Sequence, residues 1–307
     1  MDRDLLSLQN FSGEEIVDLL ELAEQLKQDN YLLNNQLKGK TIALVFQKPS
    51  NRTRVSFEVG IAQLGGNCLY LGPGEINLGV RESIADVSRT LSRYLNGIVA
   101  RTNTHAEITE LAKYSSVPVI NGLSDLYHPC QALADLFSIK EKLGAVRGVT
   151  LAFIGDGNNV CHSLLLGCAK LGVNMYVATP KKYAPQDNIV ELAKSYAKET
   201  GAKIMLTQSP KEAAQGADVI YSDVWISMGQ EEESKTRLKD FKGYQVNKEL
   251  AQLANKDFIF MHCLPAHRGR EVSPEVIDGK HSVIFDQAEN RMHVQKAILM
   301  FLLGDKK

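Results

Sequence analysis

The feature that most constrains this chain is a repeated alternation of short apolar runs with stretches of helical period. The runs "TIALVF" (41–46), "NCLYL" (67–71), "GIVAR" (97–101) and "VPVI" (117–120) have strand length. Between them lie helical patterns such as "SIADVSRTLSRY" and "AEITELAKYS". After residue 148 the scheme resumes with "VTLAFIG", "VNMYVAT", "KIMLT", "DVIYSD", "FIFMHC" and "SVIFD". Strands that are apolar throughout and separated by helices belong in parallel sheets covered on both faces. The expected fold is therefore α/β, with two doubly wound parallel-sheet domains. The stretch "KEKLGAVRG" (140–148) separates them, giving domains 1–143 and 144–307. A ligand is expected in the cleft between the domains.

Two helices are readable in more detail. "SGEEIVDLLELAEQL" opens with a capping box, Ser12 and Glu15, followed by Ile16, Leu19, Leu20 and Ala23 at helical spacing. "VSFEVGIAQLGG" places Val55, Val59 and Ala62, with Phe57, on what reads as its apolar face. The last pattern, "RMHVQKAILMFLLG" (291–304), predicts a strongly apolar terminal helix.

Composition narrows the function classes. With 307 residues, 44% of them apolar, and a formal net charge of -1, the chain affords two packed cores and lacks the excess basic charge of a general nucleic-acid or membrane-surface binder. An anion site must then be local. The five cysteines (68, 130, 161, 168 and 263) are an odd set without a C-x-x-C pair. Together with a start that lacks signal-peptide character, this predicts a soluble, cytoplasmic protein.

The unusual polar residues cluster just after strands, where open parallel sheets bind ligands. In "SNRTR" Ser50 is a natural N-cap, which sets Arg52 and Arg54 in the first turn of a helix. That end already carries about half a positive charge, so two cations there ask for an anion, and a phosphate resolves the conflict. Arg101 ends "GIVAR", and in "HPCQALADL" His128 and Gln131 stand three apart at a helix start. Each alone reads equally as a surface pair or a cap. "FIGDGNNVCHS" starts like a dinucleotide-binding turn, but the third glycine of G-x-G-x-x-G is Val160, and the next strand ends without the acidic residue that holds a ribose. A nicotinamide cofactor is disfavoured. "DVWISMGQEEE" begins with Asp223 and continues into a polar loop with the character of a lid. "HCLPAHRG" puts Cys263 at a strand tip, and its His262, Cys263 and His267 match no common zinc spacing, so no metal is expected.

Taken in order, "SNRTR", "HPCQALAD", "GDGNN", "DVWISMGQEEE" and "HCLP" resemble the aspartate/ornithine carbamoyltransferase family over essentially the whole chain. "DVWISMGQ" and "HCLP" point to its ornithine branch. The resemblance implies transfer of a carbamoyl group from carbamoyl phosphate to the δ-amine of L-ornithine, without a cofactor. It assigns carbamoyl phosphate to Ser50, Asn51, Arg52, Thr53, Asn77, Arg101, His128, Gln131, Cys263, Leu264 and Arg291. It assigns ornithine to Asn159, Asp223, Ser227 and Met228, and catalysis to Arg101, His128, Cys263 and Asp223. It also implies a homotrimer, or a multiple of trimers, in which Asn77 reaches a neighbouring subunit, and a last helix that returns to the first domain. Asn51 stands where the family usually has threonine, and Asn77 where relatives often carry Gln or His. A putrescine or acetylornithine carbamoyltransferase shares the phosphate half, and a nucleotide-dependent oxidoreductase is the rival from another enzyme class.

Overall fold

In the computed structural model, residues 4–29, 34–227 and 231–304 are described. They fall into two compact units, Met1–Phe137 with Glu289–Lys307, and Ser138–Ala288. The chain thus leaves the first unit partway along one helix and re-enters it partway along its last.

The first unit opens with helix α1 (Gly13–Gln28), whose Ser12–Glu15 capping box is formed. Its Ile16, Leu19, Leu20 and Ala23 are buried. Strand β1 (Thr41–Phe46) leads into α2 (Asn51–Gln63), β2 (Asn67–Leu71), α3 (Pro73–Ile76) and α4 (Ile84–Leu91). Then come β3 (Gly97–Arg101), α5 (His105–Tyr114), β4 (Val119–Leu123) and α6 (Pro129–Leu143). The strands form one parallel sheet in the order β2-β1-β3-β4.

The second unit contains β5 (Thr150–Ile154), α7 (Asn159–Leu171), β6 (Asn174–Ala178), α8 (Asp187–Thr200), β7 (Ile204–Thr207) and α9 (Pro210–Ala214). It continues through β8 (Val219–Ser222), α10 (Ser234–Asp240), α11 (Lys248–Ala251), β9 (Ile259–His262) and α12 (Pro274–Ile277), and α13 (Ile284–Leu303) closes the chain. Its sheet is parallel with the order β7-β6-β5-β8-β9. Both sheets are doubly wound, so each has one strand pair, β1/β3 and β5/β8, where the order reverses. Such a switch point leaves a crevice at the carboxyl ends of the strands. Among the described residues no helix is long and apolar enough to cross a membrane.

Two expectations fail. "SVIFD" is not a strand: Ser282 makes a single bridge to Phe260, and α13 begins at Ile284. Asp286 in the first turn suits a helix N-terminus, and the helical period that follows extends back through Ile284. The expected apolar face of α2 holds only at Phe57, and Ala62 is exposed. Val55 and Val59 are exposed, whereas Phe57, Gly60 and Ile61 are buried. A Cβ on Gly60 would stand 3.2 Å from Cγ of Lys296 on α13. Lys296 is itself buried, and its ammonium donates to Leu26 O at the end of α1 and to Gln63 Oε1 of α2. Burial lowers its pKa. The terminal helix is therefore seated in the first unit through a lysine, which hydrophobic periodicity does not detect.

Candidate active site

At the first switch point β1 and β3 pair with Phe46 opposite Arg101, and Gln47 N–H donates to Arg101 O at 2.9 Å. Four residues on, Ser50 caps α2, its hydroxyl accepting the Thr53 N–H. Asn51, Arg52 and Thr53 form the first turn, which holds no acidic residue. Thr53 is buried, and its Oγ1 accepts a 2.7 Å hydrogen bond from Arg291 Nη2 on α13. Arg54 points elsewhere. It pairs with Glu58 at 2.8 Å and lies 3.8 Å over the Tyr70 ring.

Arg101 is buried, and its Nε has no hydrogen-bond acceptor among the described residues. Burial and then the positive charges of Arg291 and Arg52 bring its pKa down to about 10. His128, just ahead of α6, is held well below its usual value by burial and by Arg291, Arg101 and Arg52. It is therefore neutral, among charges that are all positive. Gln131 donates to Asp135 Oδ1 at 2.8 Å, and its buried Oε1 has no donor among the described residues. The arrangement is three guanidiniums, a helix N-terminus, a neutral imidazole and one spare amide oxygen. The cationic groups and the helix N-terminus suit an anion. Asn77 does not join this group through any described contact. It is exposed at the end of α3 with φ 40, a left-handed conformation that asparagine tolerates.

At the second switch point β5 and β8 end with Ile154 opposite Ser222. Asp223 follows, 5% exposed. One carboxylate oxygen accepts from Asn158 Nδ2 at 2.7 Å, while the other accepts from Val224 N–H at 2.7 Å and Cys263 Sγ at 3.0 Å. Asn158, absent from the sequence-based site, also caps α7 through Oδ1; its place just before the helix was the one signal for it. Asn159 is the first residue of α7, and Ser227 is half-buried in the loop after β8. Met228 lies outside the described residues.

Two further residues escaped the sequence reading. Asp156 and Arg237 form a buried ion pair at 2.8 Å, and Arg237 also donates to Trp225 O at 2.9 Å and stacks over Tyr183. It thereby anchors the start of the loop that carries Ser227. Burial pushes the Asp156 carboxyl up to about 6 even beside Arg237. Gly157 is required for packing: a Cβ there would lie 2.3 Å from Pro185 N. The glycine of "GDGNN" therefore accommodates the chain's own Ala184–Pro185 segment.

The residues after β9 complete this half. Leu264 has φ 58, unusual for a branched side chain and costing roughly 1–2 kcal/mol, and its bond to Pro265 is cis. The combination His262, Cys263 and His267 does not cluster. Ligand atoms of Asp223, His262 and Cys263 instead lie within 4.8 Å of one another. His262 Nδ1 already accepts the Leu264 N–H and the thiol already donates to Asp223, so the trio is a hydrogen-bonded turn without a ready metal geometry.

Comparison with known proteins decides the family. Residues 3–141 match the aspartate/ornithine carbamoyltransferase carbamoyl-P binding domain, and residues 147–302 match the Asp/Orn binding domain. The chain belongs to the aspartate/ornithine carbamoyltransferase family. Ornithine carbamoyltransferase of Carboxydothermus hydrogenoformans is 55% identical over 304 residues, 98% of either chain. The enzyme of Thermococcus kodakarensis is 53% identical over 307 residues, covering 99% of this chain and 98% of that one. The solved structure of ornithine carbamoyltransferase from Pyrococcus furiosus superposes with a TM-score of 0.97 at 52% identity, covering 100% of this chain and 98% of the other. Within this family, the cationic switch point falls in the carbamoyl-P binding domain and the Asp223 switch point in the amino-acid binding domain.

Proposed function

We propose that this carbamoyltransferase transfers the carbamoyl group of carbamoyl phosphate to the δ-amine of L-ornithine, giving L-citrulline and phosphate. The observation that carries the reading is the convergence of Arg52, Arg101 and Arg291 on a neutral, buried His128 at the start of α6. A doubly charged phosphate relieves that repulsion. In this reading Ser50, Asn51, Arg52 and Thr53 hold the phosphate, and Arg291 reaches it alongside Thr53. Gln131 accepts from the carbamoyl amide.

The chemistry needs no covalent enzyme intermediate, because carbamoyl phosphate is already activated. The neutral δ-amine attacks the carbonyl carbon and a tetrahedral oxyanion forms. Arg101, His128 and the Thr53 hydroxyl stabilise it as preorganised donors. The C–O bond to phosphate then breaks, and the departing phosphate takes the amine's proton. Asp223, Asn159, Ser227 and Met228 read ornithine, while Cys263 and Leu264 sit beside the reacting amine. An amine of pKa about 10.4 is neutral in roughly one molecule per thousand near pH 7. Activity at limiting ornithine should therefore rise toward alkaline pH.

The assembly proposed is a homotrimer or a multiple of it, with Asn77 serving a neighbouring subunit. Exposed apolar residues of the first unit support an interface there: Val55 (54%) and Val59 (39%) on α2, and Leu69 (49%) on the edge strand β2. A cytoplasmic location belongs to the same reading, supported by five free cysteines.

An assay of ureido-product formation from carbamoyl phosphate with ornithine, putrescine, acetylornithine or lysine as the amine tests the proposal. Ornithine should be preferred by orders of magnitude, since putrescine leaves buried polar groups unpaired. Equal kcat/KM for putrescine would overturn the assignment of ornithine.

A further inference from the structure

We propose that the second unit carries a further binding site, for a small aromatic carboxylate, at the amino end of its edge strand β9. The inference is independent of the proposed carbamoyl transfer and uses none of the residues assigned to it. A cleft of about 540 Å³ opens there between α11, α12 and the turn at 279–281. That volume lies within the range of small-molecule sites, roughly 300–1,000 Å³. Phe258 precedes β9 and Cys263 follows it, so roughly 16 Å of extended chain separates the cleft from the thiol. β8 and β9 are parallel, which puts the cleft at the opposite end of the sheet from the Asp223 switch point.

Its lining combines a flat apolar part with a cationic rim. The rings of Phe258 and His281 stack with centroids 4.4 Å apart and planes 17° from parallel. A carbonyl only accepts, so His281 Nδ1 donates to Phe258 O at 2.8 Å, which holds the imidazole on the phenyl ring. The turn is pinned to the strand as well. His281 O accepts the Phe260 N–H at 2.8 Å, and Val283 N–H donates to Phe260 O at 3.0 Å. Ala251, Ala254 and Val276 add short apolar side chains beside the stacked pair. Lys248, Lys256 and Lys280 are exposed on the same lining, and none makes a salt bridge to a described residue. Glu275 is the one acidic residue among the described lining residues, which leaves a net two positive charges beside the apolar surface. An aromatic ring extends the existing stack, and a carboxylate on that ring meets the ammonium groups. An aliphatic acid satisfies only the rim, and a neutral arene only the apolar part.

Titration of the full chain with naphthoate, read by calorimetry and by NMR of alanine and valine methyl groups, tests the assignment. One molecule should bind per chain with a dissociation constant of about 1 mM or tighter. The methyl signals of Ala251, Ala254 and Val276 should shift as the ring seats beside them. Lys256→Gln combined with Lys280→Gln should weaken binding about 3- to 10-fold, and the uncharged naphthalenemethanol should bind more weakly by a similar factor. Cyclohexanecarboxylate should bind at least about threefold more weakly than naphthoate, and naphthoate should lose about as much in His281→Leu. The kcat for citrulline formation should stay within about twofold of wild type in these variants, since the substituted residues lie far from the reacting groups. Three results would overturn the proposal: no saturable binding by about 10 mM, unchanged affinity in the double lysine variant, or displacement of naphthoate by carbamoyl phosphate or ornithine. The methyl shifts are read on the wild-type protein, so shifts confined to other residues refute the site whatever the variants do. A wild-type protein that makes no citrulline would defeat the proposed function and leave the naphthoate measurement standing.

Discussion

The two sheets place their ligand groups by the same rule and give them opposite charge. In each, the functional side chains stand at the strand pair where the order reverses, β1/β3 in the first unit and β5/β8 in the second. The first gathers Arg52, Arg101 and Arg291 near an imidazole kept neutral. The second presents Asp223, shared between an amide and a thiol, and steadies its flanking loop with a buried ion pair. Topology selects the place, and the residues delivered there select the ligand. The first unit imports one of its cations, Arg291, from the far end of the chain. The second builds its carboxylate centre wholly from its own loops.

The largest expected effect tests the second unit's self-sufficiency. Arg237→Met leaves Asp156 buried without its partner and should destabilise the protein by roughly 3–5 kcal/mol. Urea unfolding measures this, and a loss under 1 kcal/mol would show that the pair does not hold the loop. In the first unit, Arg101→Gln removes the donor that the proposed mechanism assigns to the oxyanion and should lower kcat by about 10²–10³-fold. Steady-state citrulline formation reports it, with thermal stability little changed. Arg52→Ala should weaken carbamoyl phosphate binding by roughly 1.5–3 kcal/mol, about one to two decades, while the KM for ornithine moves less. Calorimetric titration separates the two, and an unaltered carbamoyl phosphate affinity would break the contrast between the units.

The smallest effect is a pH slope. Because His128 is held well below its ordinary value, the unfolded chain takes up a proton below about pH 6.5 that the folded chain refuses. Its contribution to stability is present above that pH and is lost as pH falls. His105 and His293, also lowered, act in the same direction. Asp156, raised to about 6, acts in the opposite sense between its ordinary value and 6. His128→Asn should flatten the fall in stability between pH 6.5 and 5 by about 1.4 kcal/mol per pH unit. Melting temperatures across that range, compared with wild type, check the sign.

Much of this was legible in the sequence where a single physical rule dominates. Strands buried on both faces are written as apolar runs, and β1 and β3 occupy the whole of "TIALVF" and "GIVAR". The caps at Ser12 and Ser50 follow from short-range hydrogen bonding. What escaped depends on distant partners. Arg237 reaches Asp156 across 81 positions, and nothing in the spacing of either residue announces the other. The face of α2 was misjudged because its buried side meets Lys296, whose aliphatic stem packs while its ammonium is satisfied by Leu26 and Gln63. "SVIFD" reads as a strand from β-branched content alone, yet the helical period that follows it overrides local preference.

The position of Arg291 has a consequence for the order in which a ribosome delivers the protein. The first sheet, α2 and His128 are all synthesised before the second unit begins, so a compact half could assemble early. Its anion site would still lack the guanidinium that meets Thr53, and its core would lack Lys296, until the final helix emerges. The arginine cluster is thus complete only once α13 has been made, and a chain stopped short of that helix carries a finished sheet without the guanidinium that meets Thr53.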